Sequence, residues 1–350
     1  MKVSYVYDPI YLTHDTGHHV ENARRLEAII AHLTETGLTT KLSLVPPRAA
    51  TTEEIALVHH GHHIAQIQAV AKKGGGWLDM DTVMSSGSYQ AALYAAGGLI
   101  QATEVVLGDG GSAFALVRPP GHHATATQAM GFCLFNNIAV AAQYARLKFK
   151  LERIAIIDFD VHHGNGTQDS FYDDPGVLYV STHESPLYPG TGSVTETGTG
   201  EGTGTTVNIP LPMGCGDSEY LAVFEQLIAP ALRRYQPQLI LVSAGYDGHW
   251  SDELALMQLS TSGFARITEV IKGLAEELCR SKLVFTLEGG YNLEALAASV
   301  AATFEVLLGS PLLVETAEKA YPGAGLDAAN PPDISALVEK IKGIHQLSPA

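Results

Sequence analysis

The sequence predicts an α/β fold with a central parallel sheet covered by helices. Three observations carry that prediction. Short, continuously apolar runs recur at 113–117, 154–157, 177–180, 239–242 and 283–287. Stretches with apolar residues at helical spacing separate several of them. Glycine, at 35 of 350 residues, is frequent enough for many tight turns. Strands that are apolar on both faces belong to parallel sheets with helices on both sides. Ligands of such sheets sit outside the carboxyl ends of the strands.

The elements follow in order. Residues 3–7 read as an opening strand. Residues 21–36 place Leu26, Ile29, Ile30 and Leu33 on one helical face. Thr51 with Glu54 is a capping-box pattern that starts a helix at about 52. The Ala-rich stretch 88–107 is a long helix ended by Gly108. Later helices are expected at about 136–147, 218–235, 261–279 and 293–308. The Gly/Thr stretch 190–205 is too polar for core and reads as a loop. No Pro- or Ser-rich linker divides residues 1–310, which read as one domain. Residues 311–350 read as a tail packed on it, with one short helix at about 333–343 after Pro331-Pro332.

Composition narrows the function. An apolar fraction of 46% excludes a disordered chain. A formal charge of −16 argues against binding nucleic acid by phosphate neutralisation. No uncharged apolar run of about 18 residues is present, so no membrane span is expected. The start lacks the apolar segment of a signal peptide. Three widely spaced cysteines without CxxC spacing imply neither a disulfide framework nor a Cys-based zinc site. A reducing cytoplasm is the expected setting. Nothing in the sequence specifies an oligomer.

Histidine is the unusual residue: of 15, ten stand in five adjacent pairs. Four strand ends carry the chemistry: RPPGHHA after 113–117, DFDVHHGNGT after 154–157, SAGYD after 239–242 and LEGGY at 287–291. Asp158, Asp160 and His162 recur at period two, which on an extended segment aims all three at one face. Two carboxylates and one imidazole from this group and Asp247 would hold a divalent ion and leave it an open position. Zn²⁺ suits such donors, and Fe²⁺ or Co²⁺ would fit them too. His122 and His123 follow two prolines that stiffen the turn, and paired imidazoles near a metal can move a proton at neutral pH. The Tyr291 hydroxyl could donate to a developing oxyanion. The other histidines have a plainer reading. His59 and His63 lack an acidic partner and read as structural, as does His163, whereas His18 and His19 could line a cleft.

The four motifs in this order, with GFCLFNN at 131–137 and PGTG at 189–192, resemble the histone deacetylase superfamily over roughly residues 15–308. The forms HHGNGT and SAGYDGHWSD resemble its class II and bacterial amidohydrolase members, which are related to acetylpolyamine amidohydrolases. The resemblance implies an arginase-like α/β fold with eight parallel strands. It implies zinc at Asp160, His162 and Asp247, with His122 and His123 as the tandem histidines and His123 as the main base and acid. Tyr291 would polarise the scissile carbonyl. Phe132 and Tyr188 would wall a narrow acyl-lysine channel, Gly131 would offer its carbonyl to the substrate N–H, and Leu254 would stand at the mouth. Asp158 would orient His122 and, with Asp160, His162, Ser181 and Thr182, help hold a K⁺ or Na⁺ ion. Asn165 would partner His123, where class I members use Asp. The family's proline-containing loop HPExPxR here runs from His19 through Val20, Glu21, Asn22 and Ala23 to Arg24, without its prolines.

The function expected is metal-dependent removal of an acyl group from lysine side chains of peptides or proteins, with acetylated polyamines as the alternative substrate. Asp79, Asp81, Asp252 and Glu253 are expected to give the rim a negative field that suits basic substrates. A binuclear-manganese ureohydrolase needs acids where Gly164 and His249 stand. An inactive acyl-lysine-binding module would not need every chemical part that is present.

Overall fold

The computed structural model describes residues 2–310 and 331–347. The strands are β1 Val3–Val6, β2 Ser43–Val45, β3 Gly75–Trp77, β4 Val83–Ser85, β5 Ser112–Ala115, β6 Ile154–Asp158, β7 Val177–Glu184, β8 Thr206–Leu211, β9 Leu239–Ala244 and β10 Leu283–Leu287. The helices are α1 Arg24–Glu35, α2 Thr52–Ile55, α3 Gly61–Lys72, α4 Ser88–Asp109, α5 Asn137–Phe149, α6 Asn165–Phe171, α7 Asp217–Val223, α8 Ala229–Tyr235, α9 Thr261–Cys279, α10 Leu293–Leu308 and α11 Ser335–His345. Eight strands form one parallel sheet in the order β2-β1-β5-β10-β9-β6-β7-β8, and β3 and β4 form a separate antiparallel hairpin.

That order decides where the chemistry goes. The chain lays down β5, crosses to β6, and later returns to fill the gap with β9 and β10. The four strands that precede the four motifs are therefore the four adjacent central strands. All are parallel, so all four motifs emerge at one end. β6 and β10 are buried at every position, which is why they read as apolar runs interrupted only by Asp158 and Thr286. α4 and α5 pack together against the sheet, and α9 and α10 pack with each other and with α1 against it. α4 is long and apolar enough to cross a membrane, but 67% of that stretch is buried inside the fold.

Several boundaries differ from expectation. α4 runs through Gly108 to Asp109 and stops at Gly110, whose φ of 76° lies in the left-handed region where glycine is at ease. The capping box at Thr51 forms, but its helix is only Thr52–Ile55. The stretch 218–235 is α7 and α8 joined by a π-helical turn, Phe224–Ile228. Of the expected tail, 311–330 and 348–350 lie outside the described residues. α11 rests near that π-helical turn, where the Lys342 Nζ donates to Gln226 Oε1 at 3.0 Å and Arg234 donates to the His345 carbonyl.

Candidate metal and catalytic site

β6 ends at Asp158 and the chain bends at 160–162, so the extended segment does not continue through Asp160 and His162. Asp158 points to the His122 side, accepting from His122 Nδ1 at 3.2 Å and from the Tyr179 hydroxyl at 3.1 Å. Asp160, itself 3.9 Å from His122 Nε2, and His162 meet Asp247, which follows β9. The His162 Nδ1 lies 3.3 Å from Asp160 Oδ1 and 3.1 Å from Asp247 Oδ2. The ligand atoms of these three residues lie within 4.8 Å of one another. The glycines of the motifs make this closeness feasible. A Cβ on Gly245 would stand 2.0 Å from Asp160 Oδ2, and one on Gly289 2.1 Å from Asp247 Oδ2.

The donor set fits a divalent cation. Asp160 and Asp247 are buried, and among the described residues no lysine or arginine pairs with either. Burial and the neighbouring Asp160 raise the Asp247 carboxyl. Burial opposes charge on His162, but its bonds to Asp160 and Asp247 outweigh that and lift the imidazole to about 10. Two buried carboxylates side by side thus favour positive charge between them, and the chain offers them imidazoles but no permanent cation. His122, Cys133 and Glu288 form a second close group, but both Glu288 oxygens already accept hydrogen bonds.

The tandem histidines face this trio in different states. Asn165 Oδ1 accepts from His123 Nδ1 at 2.9 Å, while the Asn165 amide donates to the His123 carbonyl at 3.4 Å. This fixes the tautomer and leaves the His123 Nε2 lone pair free. Burial, with the charges of His122 and His162, lowers the His123 imidazole well below its ordinary value. Burial also disfavours charge on His122, but Asp160 and Asp158 prevail and hold it at about 10. Asp158 itself is raised, chiefly by burial.

Phe132, at φ 68°, is held in the left-handed region by a bond from its N–H to Thr82 Oγ1 at 3.1 Å. Its ring meets His19 at 4.6 Å and Tyr291 at 5.8 Å between centroids. Tyr188 stands 5.1 Å from the His123 ring. Between these walls, a Cβ on Gly131 would come within 2.4 Å of His123 Cδ2. Leu254 shares a cavity of about 440 Å³ with His18, His19, Val20, Glu253 and Tyr291. Burial, then the Asp247 charge, keeps the Tyr291 hydroxyl protonated. Asp252 does not contribute to an exposed rim: it is buried and accepts from the Tyr291 and Asn292 N–H groups at 2.6 and 3.0 Å. Asp79 and Asp81 sit at the tip of the β3–β4 hairpin, where Asp79 Oδ1 caps the turn at Thr82.

Asp158 and Ser181 are register partners on β6 and β7. His183 Nε2 donates to the Gly192 carbonyl at 3.0 Å, so Ser181 Oγ donates to His183 Nδ1 at 2.9 Å and keeps its lone pairs for another partner. Thr182 Oγ1 is buried without a hydrogen-bond partner. The remaining histidines hold structure. His59 bonds to Thr125 O and to the Asn136 N–H, His63 to Leu134 O, and His163 to Thr191 and Gln168.

Sequence reasoning missed a layer beneath the site. The seven-residue loop pattern counted from His19 closes on Arg25 and not on Arg24, and it is Arg25 that is buried, whereas Arg24 is exposed. Its guanidinium donates to the carbonyls of Gly290 and Glu288 at 2.6 and 2.5 Å and lies 4.9 Å from the centre of the Tyr291 ring. Glu21 pairs with Arg25 at 3.1 Å and also with Arg118. The signal was the loop pattern itself, whose glutamate and arginine stand four residues apart at Glu21 and Arg25.

Comparison with known proteins gives concordant results. The histone deacetylase domain family matches residues 19–307. A probable deacetylase of Methanothermobacter thermautotrophicus is 43% identical over 316 residues, covering 89% of this chain and 92% of its own. Histone deacetylase 10, chloroplastic, of Oryza sativa is 41% identical, covering 95% and 79%. A histone deacetylase-like amidohydrolase of Pseudomonas aeruginosa is 38% identical, covering 78% and 71%. The crystal structure of the HDA15 HD domain superposes with a TM-score of 0.88 at 33% identity, covering 98% of this chain and 94% of that one.

Proposed function

The chain belongs to the histone deacetylase family and is a hydrolase of amide bonds, and from that premise we propose that it removes acyl groups from lysine side chains of peptides or proteins. The observation that carries the reading is the meeting of the Asp160–His162–Asp247 trio with a histidine whose Nε2 is free. Asp160, His162 and Asp247 would hold a divalent metal, with zinc the ion we assign. Bound there, such an ion supplies Lewis acidity, polarising an amide carbonyl and acidifying water.

The chain's own groups do the rest. His123 Nε2 takes a proton from the attacking water and returns it to the leaving amine. Asn165 keeps that nitrogen free by accepting from Nδ1. His122, charged by Asp158 and Asp160, favours the developing negative charge electrostatically. The Tyr291 hydroxyl donates to the oxyanion, while Arg25 and Asp252 fix the turn that carries it. Phe132 and Tyr188 exclude water from the acyl-lysine chain, and the Gly131 carbonyl accepts its N–H. Asp158, Asp160, His162, Ser181 and Thr182 would hold a K⁺ or Na⁺ ion. We assign catalysis to residues 1–310. Three free, buried cysteines are consistent with the cytoplasmic setting we propose.

Leu254 at the mouth favours lysine peptides over polyamines, because it cannot offset the desolvation of a distal ammonium. Comparing kcat/KM for an acetyl-lysine peptide, N-acetylputrescine and N8-acetylspermidine at one ionic strength tests this. The peptide is expected to be preferred. A polyamine preference above about tenfold, equivalent to about 1.4 kcal/mol, overturns the substrate assignment. No turnover of any of them by metal-loaded protein overturns the enzymatic reading.

A further inference from the structure

Glu288 is fully buried, yet the reaction described above gives it no task. It follows β10, the strand between β5 and β9. Its two carboxylate oxygens reach out in both directions. Oε2 accepts the N–H of Gly121 at 2.7 Å and of His122 at 3.2 Å, both beyond the end of β5. Oε1 accepts from the Ser243 hydroxyl on β9 at 3.0 Å. Its main chain is anchored as well, the N–H to Ala244 O at 2.9 Å and the carbonyl to Arg25 Nη2 at 2.5 Å.

The turn that Glu288 grips has no other simple means of satisfying these groups. Pro119 and Pro120 have no N–H, so Gly121 and His122 bring the next donors in the chain. Both are buried, where an unpaired N–H is costly. From the opposite side, the His122 carbonyl accepts from the Thr167 N–H at 3.1 Å. The peptide units that aim both imidazoles are thus held from one side by α6 and from the other by this carboxylate.

We infer that Glu288 is a positioning residue for the deacylase reaction: its carboxylate ties the tandem-histidine turn to the ends of β9 and β10 and sets where His122 and His123 stand relative to the Asp160–His162–Asp247 trio. The inference rests on the proposed function for its activity readout only. It acts through hydrogen-bond geometry, so a neutral acceptor of the same length serves. In Glu288→Gln, the amide oxygen accepts both N–H groups and the amide nitrogen donates to Ser243, whose hydroxyl reverses. In Glu288→Asp, the charge remains but the oxygens are drawn back by one methylene.

The test compares wild type, Glu288→Gln, Glu288→Asp and Glu288→Ala as metal-loaded full-length protein, with activity expressed per bound metal. Gln should keep kcat within about threefold. Asp and Ala should lose about 10- to 100-fold in kcat with KM unchanged, the scale of misplacing a catalytic group by up to an ångström. Hydrogen exchange at the Gly121 and His122 amides should quicken in Asp and Ala but not in Gln, and this readout needs no substrate. If Ala does not fold, the contrast between Gln and Asp carries the test. Wild-type kcat and exchange in Asp overturn the inference, and so does a Gln variant as impaired as Asp, since charge would then be what matters. A wild-type protein inactive on every acyl-lysine peptide overturns the proposed function instead, and the exchange data still decide the role of Glu288.

Discussion

Two clusters of buried charge lie one above the other in this molecule, and they differ in how the charge is balanced. In the lower one, Glu21 meets Arg25, Arg118 and, at 3.4 Å, His14, so acid and base come from the chain itself. Burial would raise the Glu21 carboxyl, but Arg118 and His14 hold it well below the usual range. In the upper one, Asp160 and Asp247 face imidazoles only, His162 and, 3.9 Å from Asp160, His122, with no lysine or arginine beside them among the described residues. The first cluster is closed and supports the Tyr291 turn. The second is open, and its demand for positive charge is what suits it to a metal. Buried charge alone therefore does not mark a functional site; buried carboxylates faced only by titratable imidazoles, with no lysine or arginine, do.

Mutations should separate the two. The largest effect is expected from Asp247→Ala, which breaks the open cluster. Metal content and turnover should both be lost, because two ligands hold the ion poorly; elemental analysis of the purified variant checks this. His123→Ala should cost about 10²–10⁴-fold in kcat with metal retained, and His122→Ala less. Tyr291→Phe should cost about 10²–10³-fold, again with metal retained. Steady-state kinetics on metal-quantified protein gives all three, and a reversed order for the two histidines would mean their roles are exchanged. Glu21→Gln should do the opposite of Asp247→Ala. It leaves two buried guanidinium groups short of a counter-charge and should cost about 3 kcal/mol or more of stability, with metal content kept, as a denaturant midpoint would show.

How far the sequence reveals these features depends on distance along the chain. β6, β9 and β10 are legible because a strand buried on both faces is apolar at nearly every position. β2 and β8 are not. β2 is a three-residue edge strand with Leu44 exposed, and β8 contains Pro210 and follows a Gly/Thr loop. Asp160, His162 and Asp247 stand out because each follows a strand with its motif. Glu21 and Arg118 are 97 residues apart, and Glu288 and Gly121 are 167 apart. No local pattern pairs them, and only the strand order brings them together. The period of two has a local limit, since the strand ends at Asp158 and the chain bends at 160–162.

The smallest expected effect concerns a histidine outside both clusters. His59 accepts from the Asn136 N–H through Nε2 at 2.8 Å and donates through Nδ1 to Thr125 O at 2.9 Å, an arrangement only the neutral ring can make. Burial, then the neighbouring His63, lowers it to about 3. The unfolded chain binds a proton at about 6.5 that the folded chain refuses, so its contribution is intact above that pH and lost progressively as pH falls towards 3. His59→Gln should flatten this part of the acid limb in denaturation midpoints measured from pH 7 to pH 4.

The open cluster is expected to take one catalytic metal ion per chain. Its most direct test is titration of zinc into chelator-stripped protein while following turnover of an acetyl-lysine peptide. Turnover should be absent at the start, rise linearly and level off at one equivalent per chain, with Asp247→Ala silent throughout. Full turnover in the stripped protein, or a plateau reached only at two equivalents, would rule out a single catalytic metal in this cluster.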